Sequence, residues 1–204
     1  MDVEGLRTFC LDLSTDRPSP GGGAASAAAG AMAASLLIMV CGVTGRSKKH
    51  VQDKPKLDDL KADLVKMRDE LLSLASLDAE AYDAVANASR RLRGEETDGN
   101  RQAYQDALHG AVDVPARTAD RCLMVIEKSR DVAKVQTSSA SSDTAVAVSL
   151  ARAAFEGAAA NVEINLLDMT DQGFVRRITA EMLEKRGRVE DLARESISIL
   201  MQSR

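Results

Sequence analysis

Leu57, Leu60, Leu64, Met67, Leu71 and Leu74 follow one another in alternating steps of three and four, the spacing of a helical seam that packs against neighbours. Continuing the count makes Asp78, Ala81 and Val85 the next seam positions. Asp78 therefore stands where the pattern asks for an apolar side chain. A carboxylate on a buried seam must be paired, hydrogen-bonded or protonated, because burying its charge unaided is costly. Desolvation raises its pKa, and a carboxyl titrating nearer neutrality can both give and take a proton. Spacing alone leaves two readings open: an acid/base group on the seam, or a seam that ends at Leu77 with Asp78 solvated or paired to an arginine.

Other stretches carry groups that could meet a ligand. Pro18-Ser19-Pro20-Gly21-Gly22-Gly23 ends whatever precedes it and opens onto a small-residue run from Ala24 to Val43. Backbone N–H groups at the amino end of the following helix lack intrahelical acceptors, so this turn offers a cradle for an anion or another ligand. A P-loop is excluded, since no Gly-Lys-Ser/Thr follows the glycines; a purely structural turn is the plain alternative. Thr44-Gly45-Arg46-Ser47-Lys48-Lys49-His50 gathers cations at a helix carboxyl end, where the dipole favours them and a solvated surface also accounts for them. Arg90 to Gly99 reads as a charged loop, with Gly94 and Gly99 as breakers. Thr137 to Asp143 reads as a polar loop in which Ser142 or Asp143 caps the next helix. Asn161 and Asn165 suit either a ligand or neighbouring backbone.

The elements that must position these groups are helices. No charged residue lies between Arg17 and Arg46, and an Ala-rich helix that is apolar all round must be buried, which makes it a central rod. A transmembrane helix is the rival reading by length, but Ala and Gly are much less lipophilic than Leu or Ile. Residues 2 to 13 form a short amphipathic packing helix with Leu6, Phe9, Cys10 and Leu13 on one face. A helix from about Arg101 turns Tyr104, Leu108 and Ala111 inward, kinks at Pro115 and resumes through Cys122, Ile126 and Val132. His109 lies off that face, and Cys122 is a small buried apolar residue rather than a nucleophile. The next helix, Thr144 to about Asp168, places Val146, Leu150, Ala153, Gly157, Ile164 and Leu167 on an inner stripe. A last amphipathic helix runs from Asp171 and is interrupted near Gly187.

Composition agrees: aromatics are 2% of 204 residues, with no Trp, which argues against a sandwich or barrel. The expectation is one all-α domain over residues 1–204, a bundle of about six helices around the Ala-rich rod. A formal charge of -4 argues against a general nucleic-acid binder. Three cysteines without a CxxC spacing and two histidines are too few for a zinc site, so no metal is expected, and they suit a reducing compartment. Met1-Asp2-Val3-Glu4 carries no basic-then-apolar export signal. A cytoplasmic protein, without a membrane partner, is expected.

The chain resembles the cyclodeaminase/cyclohydrolase family of folate enzymes over nearly its whole length. Proline with three glycines before an Ala-rich helix ending in Met39-Val40-Cys41 is one landmark, and Asp78-Ala79-Glu80-Ala81-Tyr82 is similar to the family's Asp-x-Glu-Ala-Phe-like segment. Thr44, Lys48 and Lys49 fit a Thr-x-Gly-Lys-Lys-Lys-Tyr-like motif, from which Arg46, Ser47 and His50 depart. Arg93 stands where a Leu-Pro-Lys-like loop has its lysine. Gln105 to Leu108, Val114-Pro115, Ser142-Asp143 and Asn161-Val162-Glu163-Ile164-Asn165 match further landmarks, whereas Thr137 to Ser139 replace a Gly-Asn-rich stretch. The resemblance implies chemistry at the bridging carbon of 5,10-methenyltetrahydrofolate, as cyclodeaminase or cyclohydrolase, with Asp78 as general acid/base. It implies substrate contacts from Gly21, Gly22 and Gly23, from Lys48, Lys49 and Arg93 toward the anionic tail, and from His50, Tyr82, Ser142, Asp143 and Asn165. It implies no cofactor beyond the tetrahydrofolate substrate, and a homodimer. The alternative is a non-catalytic folate-binding or scaffold relative that kept the fold.

Overall fold

A computed structural model describes residues 3–202. Six helices account for nearly all of them: α1 Glu4–Leu13, α2 Gly22–Gly45, α3 Lys54–Gly94, α4 Asp98–Val135, α5 Ser141–Leu166 and α6 Gln172–Gln202. No strand occurs among the described residues, so the expected all-α bundle of about six helices is what the chain forms. Asp2, placed by the sequence pattern in the first helix, lies outside the described residues, as does the chain beyond Gln202.

α2 is the rod, packed on α3, α4 and α5. Its small residues let the neighbours come close. A Cβ on Gly30 would lie 2.9 Å from Cys122 Sγ and 3.2 Å from both Leu71 methyls, so glycine is what admits α3 and α4 at that level. Gly157 of α5 is in turn pressed against the Ser26 side chain. All six apolar seam residues of α3, from Leu57 to Leu74, are buried, and burial of side chains of this size supplies most of the bundle's stability, about 1.5–3 kcal/mol each.

Several sequence expectations need correction. α2 is not buried all round: Met32, Met39 and Val43 are 42%, 39% and 37% exposed, on one stripe at helical spacing. It is long and apolar enough to cross a membrane, yet half of its most apolar window is buried inside the bundle. On α5, Val146, Ala153, Ile164 and Leu167 face outward; the inner stripe is Ala147, Ala151, Ala154, Phe155, Ala158 and Val162. Alanines dominate the inner stripe, which lets α5 come close to the Ala-rich rod, and Phe155 and Val162 fill the space between them. α6 runs through Gly187 without the interruption expected there. Arg90 to Arg93 belong to the last turn of α3 rather than to a loop. The cap of α5 is Ala140, not Ser142 or Asp143, which sit in its first turn. α1 has the expected apolar face, but none of its residues is buried.

Candidate active site

The seam of α3 delivers Asp78 to the amino end of α2. Asp78 Oδ2 accepts the Ala24 N–H at 2.9 Å, one of the donors a helix start leaves without an internal acceptor. Gly23 makes this seat: a Cβ there would overlap the Asp78 carboxylate. Burial pushes the Asp78 pKa above the ordinary carboxylate value, and the Ala24 hydrogen bond opposes that push without cancelling it. The partial positive charge of the helix terminus also favours the anion. The glycine turn therefore already holds one carboxylate, while the Gly22 and Gly23 N–H groups have no acceptor within the described chain.

A cleft of about 340 Å³ opens over Asp78, between the Pro18–Gly23 turn and the facing ends of α3 and α5. Tyr82 and Val85 form one wall; Asn161, Ile164 and Asn165 form another. The two amides are held by their nitrogens. Asn161 Nδ2 donates to the Gly157 carbonyl at 2.8 Å, and Asn165 Nδ2 donates to the Ala111 carbonyl at 2.7 Å. That second acceptor is free because Pro115 has no N–H to return to the residue four before it. With both nitrogens engaged, each amide oxygen remains to accept from a ligand. Beside Asp78 the cleft is thus rich in acceptors and suits a polar, N–H-bearing molecule with a cationic centre.

The sequence-derived residues divide into two groups. Gly21, Gly22, Gly23, Asp78, Tyr82 and Asn165 meet at this cleft. Lys48, Lys49 and His50 lie in a short turn beyond the other end of α2, about 35 Å away at 1.5 Å per residue. Ser142 and Asp143 are at that far end too, since Thr137, just before α5, bonds Thr44 at 3.2 Å. His50 Nδ1 is 3.1 Å from Asp53 Oδ2. Arg93 stands four turns beyond Asp78 on α3, outside the cleft. Asn161, read from the sequence with Asn165 as suiting either a ligand or backbone, also lines the cleft, as do Val85 and Ile164, which the sequence pattern placed only at packing positions.

Elsewhere the chemistry is muted. A larger groove of about 580 Å³ lies between α5 and α6, but its Arg152 is paired with Glu190 at 2.6 Å and its Glu156 with Arg186 at 3.0 Å. Burial raises the thiols of Cys41 and Cys122 to about 11 and about 12, leaving neither reactive. Among the described residues no group of three or more His, Cys, Asp or Glu could hold a metal ion.

Fold and cleft together define an all-helical protein with a cleft built at the amino end of a central helix. Known proteins are similar to it in sequence and in fold. The formiminotransferase-cyclodeaminase family matches residues 5–184. Methenyltetrahydrofolate cyclohydrolase of Methylorubrum extorquens is 33% identical over 181 residues, 88% of this chain and 87% of that protein. The formimidoyltransferase-cyclodeaminase of Rattus norvegicus is 30% identical over 83% of this chain but only 32% of its own length. The crystal structure of a formiminotetrahydrofolate cyclodeaminase from Thermotoga maritima superposes with a TM-score of 0.88 at 28% identity, covering 98% of each chain. The chain belongs to the formiminotransferase-cyclodeaminase family and is a folate one-carbon enzyme.

Proposed function

We propose that the protein hydrolyses 5,10-methenyltetrahydrofolate to 10-formyltetrahydrofolate, with Asp78 as its general acid/base. The observation that carries this reading is the Asp78 carboxyl, half-buried, fixed on the Ala24 N–H and open to the cleft. The substrate carbon bridging N5 and N10 is amidinium-like and cationic. Water attacks it while the Asp78 carboxylate takes one of its protons; the tetrahedral carbon then breaks its bond to N5, Asp78 returns that proton to the nitrogen, and the remaining hydroxyl proton passes to solvent as the formyl C=O forms. The anion beside the cationic carbon lowers the barrier electrostatically. Asn161 and Asn165 oxygens accept from the pterin N–H edge, and the Gly22 and Gly23 amides hold the ligand from the turn. Likeness to the M. extorquens cyclohydrolase over 87% of that enzyme's length favours hydrolysis.

The whole-chain likeness to the T. maritima cyclodeaminase favours a second reading. There N10 attacks the formimino carbon on N5, and the same carboxyl protonates the departing ammonia. Either reaction needs no cofactor beyond the folate. A homodimer in the cytoplasm, with neither membrane nor nucleic acid as partner, completes the proposal.

The test follows absorbance of the methenyl chromophore with wild type and Asp78→Asn. Consumption of methenyltetrahydrofolate, lost in the variant, supports the hydrolase. Formation of the chromophore from 5-formimidoyltetrahydrofolate selects the cyclodeaminase. Activity with neither substrate, in folded protein, rejects both and leaves a non-catalytic folate-binding or scaffold relative.

A further inference from the structure

One turn below the cleft, α2 and α5 meet at a pair of small residues. Ser26 is buried; its hydroxyl donates to the Gly22 carbonyl at 2.7 Å and is pressed against Gly157. A Cβ on Gly157 would overlap that oxygen but lie 3.4 Å from the Ser26 Cβ, an ordinary contact distance. The hydroxyl therefore decides how near α5 comes at this level. Each partner also carries one side of the cleft, four residues away on the same helix face. Gly22 and Asn161 both line it, whereas Ser26 and Gly157 do not. Asn161 Nδ2 donates back to the Gly157 carbonyl at 2.8 Å. The circuit closes above: a Cβ on Gly22 would lie 3.4 Å from Asn161 Nδ2 and 3.9 Å from Oδ1. Asp78 stands outside it, on α3 and fixed to the Ala24 N–H.

We propose that Ser26 and Gly157 are a spacer that sets the width of the cleft, holding the Asn161 and Asn165 oxygens at the distance from Asp78 that the substrate requires. Neither residue touches the ligand; both are positioning residues. The hydroxyl cannot turn aside without cost, because leaving the Gly22 carbonyl strands a buried O–H. Bulk at position 157 therefore pushes α5 away from α2, and both amides travel with it. Asp78 stays on Ala24, so the binding groups move while the acid/base group does not. That a folate reads this spacing rests on the folate reading; the spacing itself does not.

The test compares wild type with Gly157→Ala and with Ser26→Ala/Gly157→Ala, on whichever folate the wild type turns over. Gly157→Ala should raise KM about tenfold, the loss of a binding contact, while kcat stays within about twofold, since only binding common to ground and transition states is lost. The acid limb of its pH profile should not move. Removing the hydroxyl as well leaves Cβ against Cβ, and KM should return to within about threefold of wild type. Damage to the fold at large would lower kcat too, and a second truncation would not reverse it. An unchanged KM in Gly157→Ala, or a rise that Ser26→Ala does not reverse, overturns the proposal. Where Gly157→Ala does not fold, Ser26→Cys presses a larger atom on the same glycine; an unchanged KM there overturns it equally. Should wild type act on neither folate, the enzyme reading fails, and crystal structures of the same chains decide the spacer. Asn161 displaced from Gly22 in Gly157→Ala and returned in the double variant supports it; an unmoved Asn161 overturns it.

Discussion

The two ends of α2 are built from the same kind of helix and do opposite things. At the amino end three glycines remove side chains, a carboxylate takes a helix N–H, and a cleft opens between α3 and α5. At the carboxyl end the chain tightens into a short turn of Lys48, Lys49 and His50, with Thr44 wholly buried beneath it. The first end has lost bulk and opens a cleft; the second carries charge and lines no such cleft. The difference teaches that charge and chemistry need not sit together in one chain. The helix dipole organises both, favouring the Asp78 anion at one terminus and the lysines at the other.

Asp78→Asn breaks the comparison at its strongest point. We expect kcat to fall about 10²–10⁴-fold, the range for a lost acid/base group, while the melting temperature at neutral pH does not fall. The sign follows from linkage. The folded pKa of Asp78 is raised above 3.8, so between those two values the native state holds more proton than the unfolded one, and stability decreases as pH rises through the window. Above it the buried charge is a standing cost that asparagine removes while keeping an acceptor for Ala24. Thermal melts from pH 4 to pH 8 check this: a variant that melts well below wild type at pH 7 would show the carboxylate to be structural. In hydrolysis the wild-type rate should rise with pH on its acid limb, governed by this same group.

Gly23→Ala sharpens the same end without touching the carboxyl's chemistry. The new Cβ overlaps the Asp78 carboxylate, which is the end of a side chain and can swing aside, so the fold survives and the catalyst moves. Displacement of a reacting group by about 1 Å costs on the order of 10²-fold, and kcat measures it. Gly30→Ala, two turns along, is the control. Its Cβ meets Cys122 and Leu71 in the core, so we expect about 1–3 kcal/mol lost in denaturant unfolding and kcat retained.

The fold was legible because its signals are repetitive. The charge-free run from Ala24 to Val43 and the leucine seam each predict a helix and its buried face, and the seam also singles out Asp78. What the sequence hid is which face of α2 stays open, because Ala and Met look alike on every side of such a helix. It also hid the inner stripe of α5, where Ala147, Ala151 and Ala158 are buried while Val146 and Ile164 stay exposed. Of the candidate site, Asp78, the glycines and Asn165 converge as a set. Lys48 and Asp143 cannot be told from cleft residues by motif alone, since a motif records neighbours in sequence and says nothing of the 35 Å of helix between them.

The smallest effect tests how the cleft holds its shape. Asn165 donates to the Ala111 carbonyl, which Pro115 cannot reach for want of an N–H, so a cleft-lining amide is oriented by a defect in another helix. Asn165→Leu removes the amide oxygen from the cleft and leaves that carbonyl without a partner. We expect KM to rise about tenfold and stability to fall by about 1–3 kcal/mol, the cost of an unsatisfied buried acceptor. Pro115→Ala restores an N–H that can close the α4 bond to Ala111. In the double variant the stability loss should shrink while the KM defect remains, because the backbone is repaired and the ligand contact is not. Recovery of both by Pro115→Ala would mean that Asn165 serves only the helix; recovery of neither would mean that the Ala111 bond is incidental to folding.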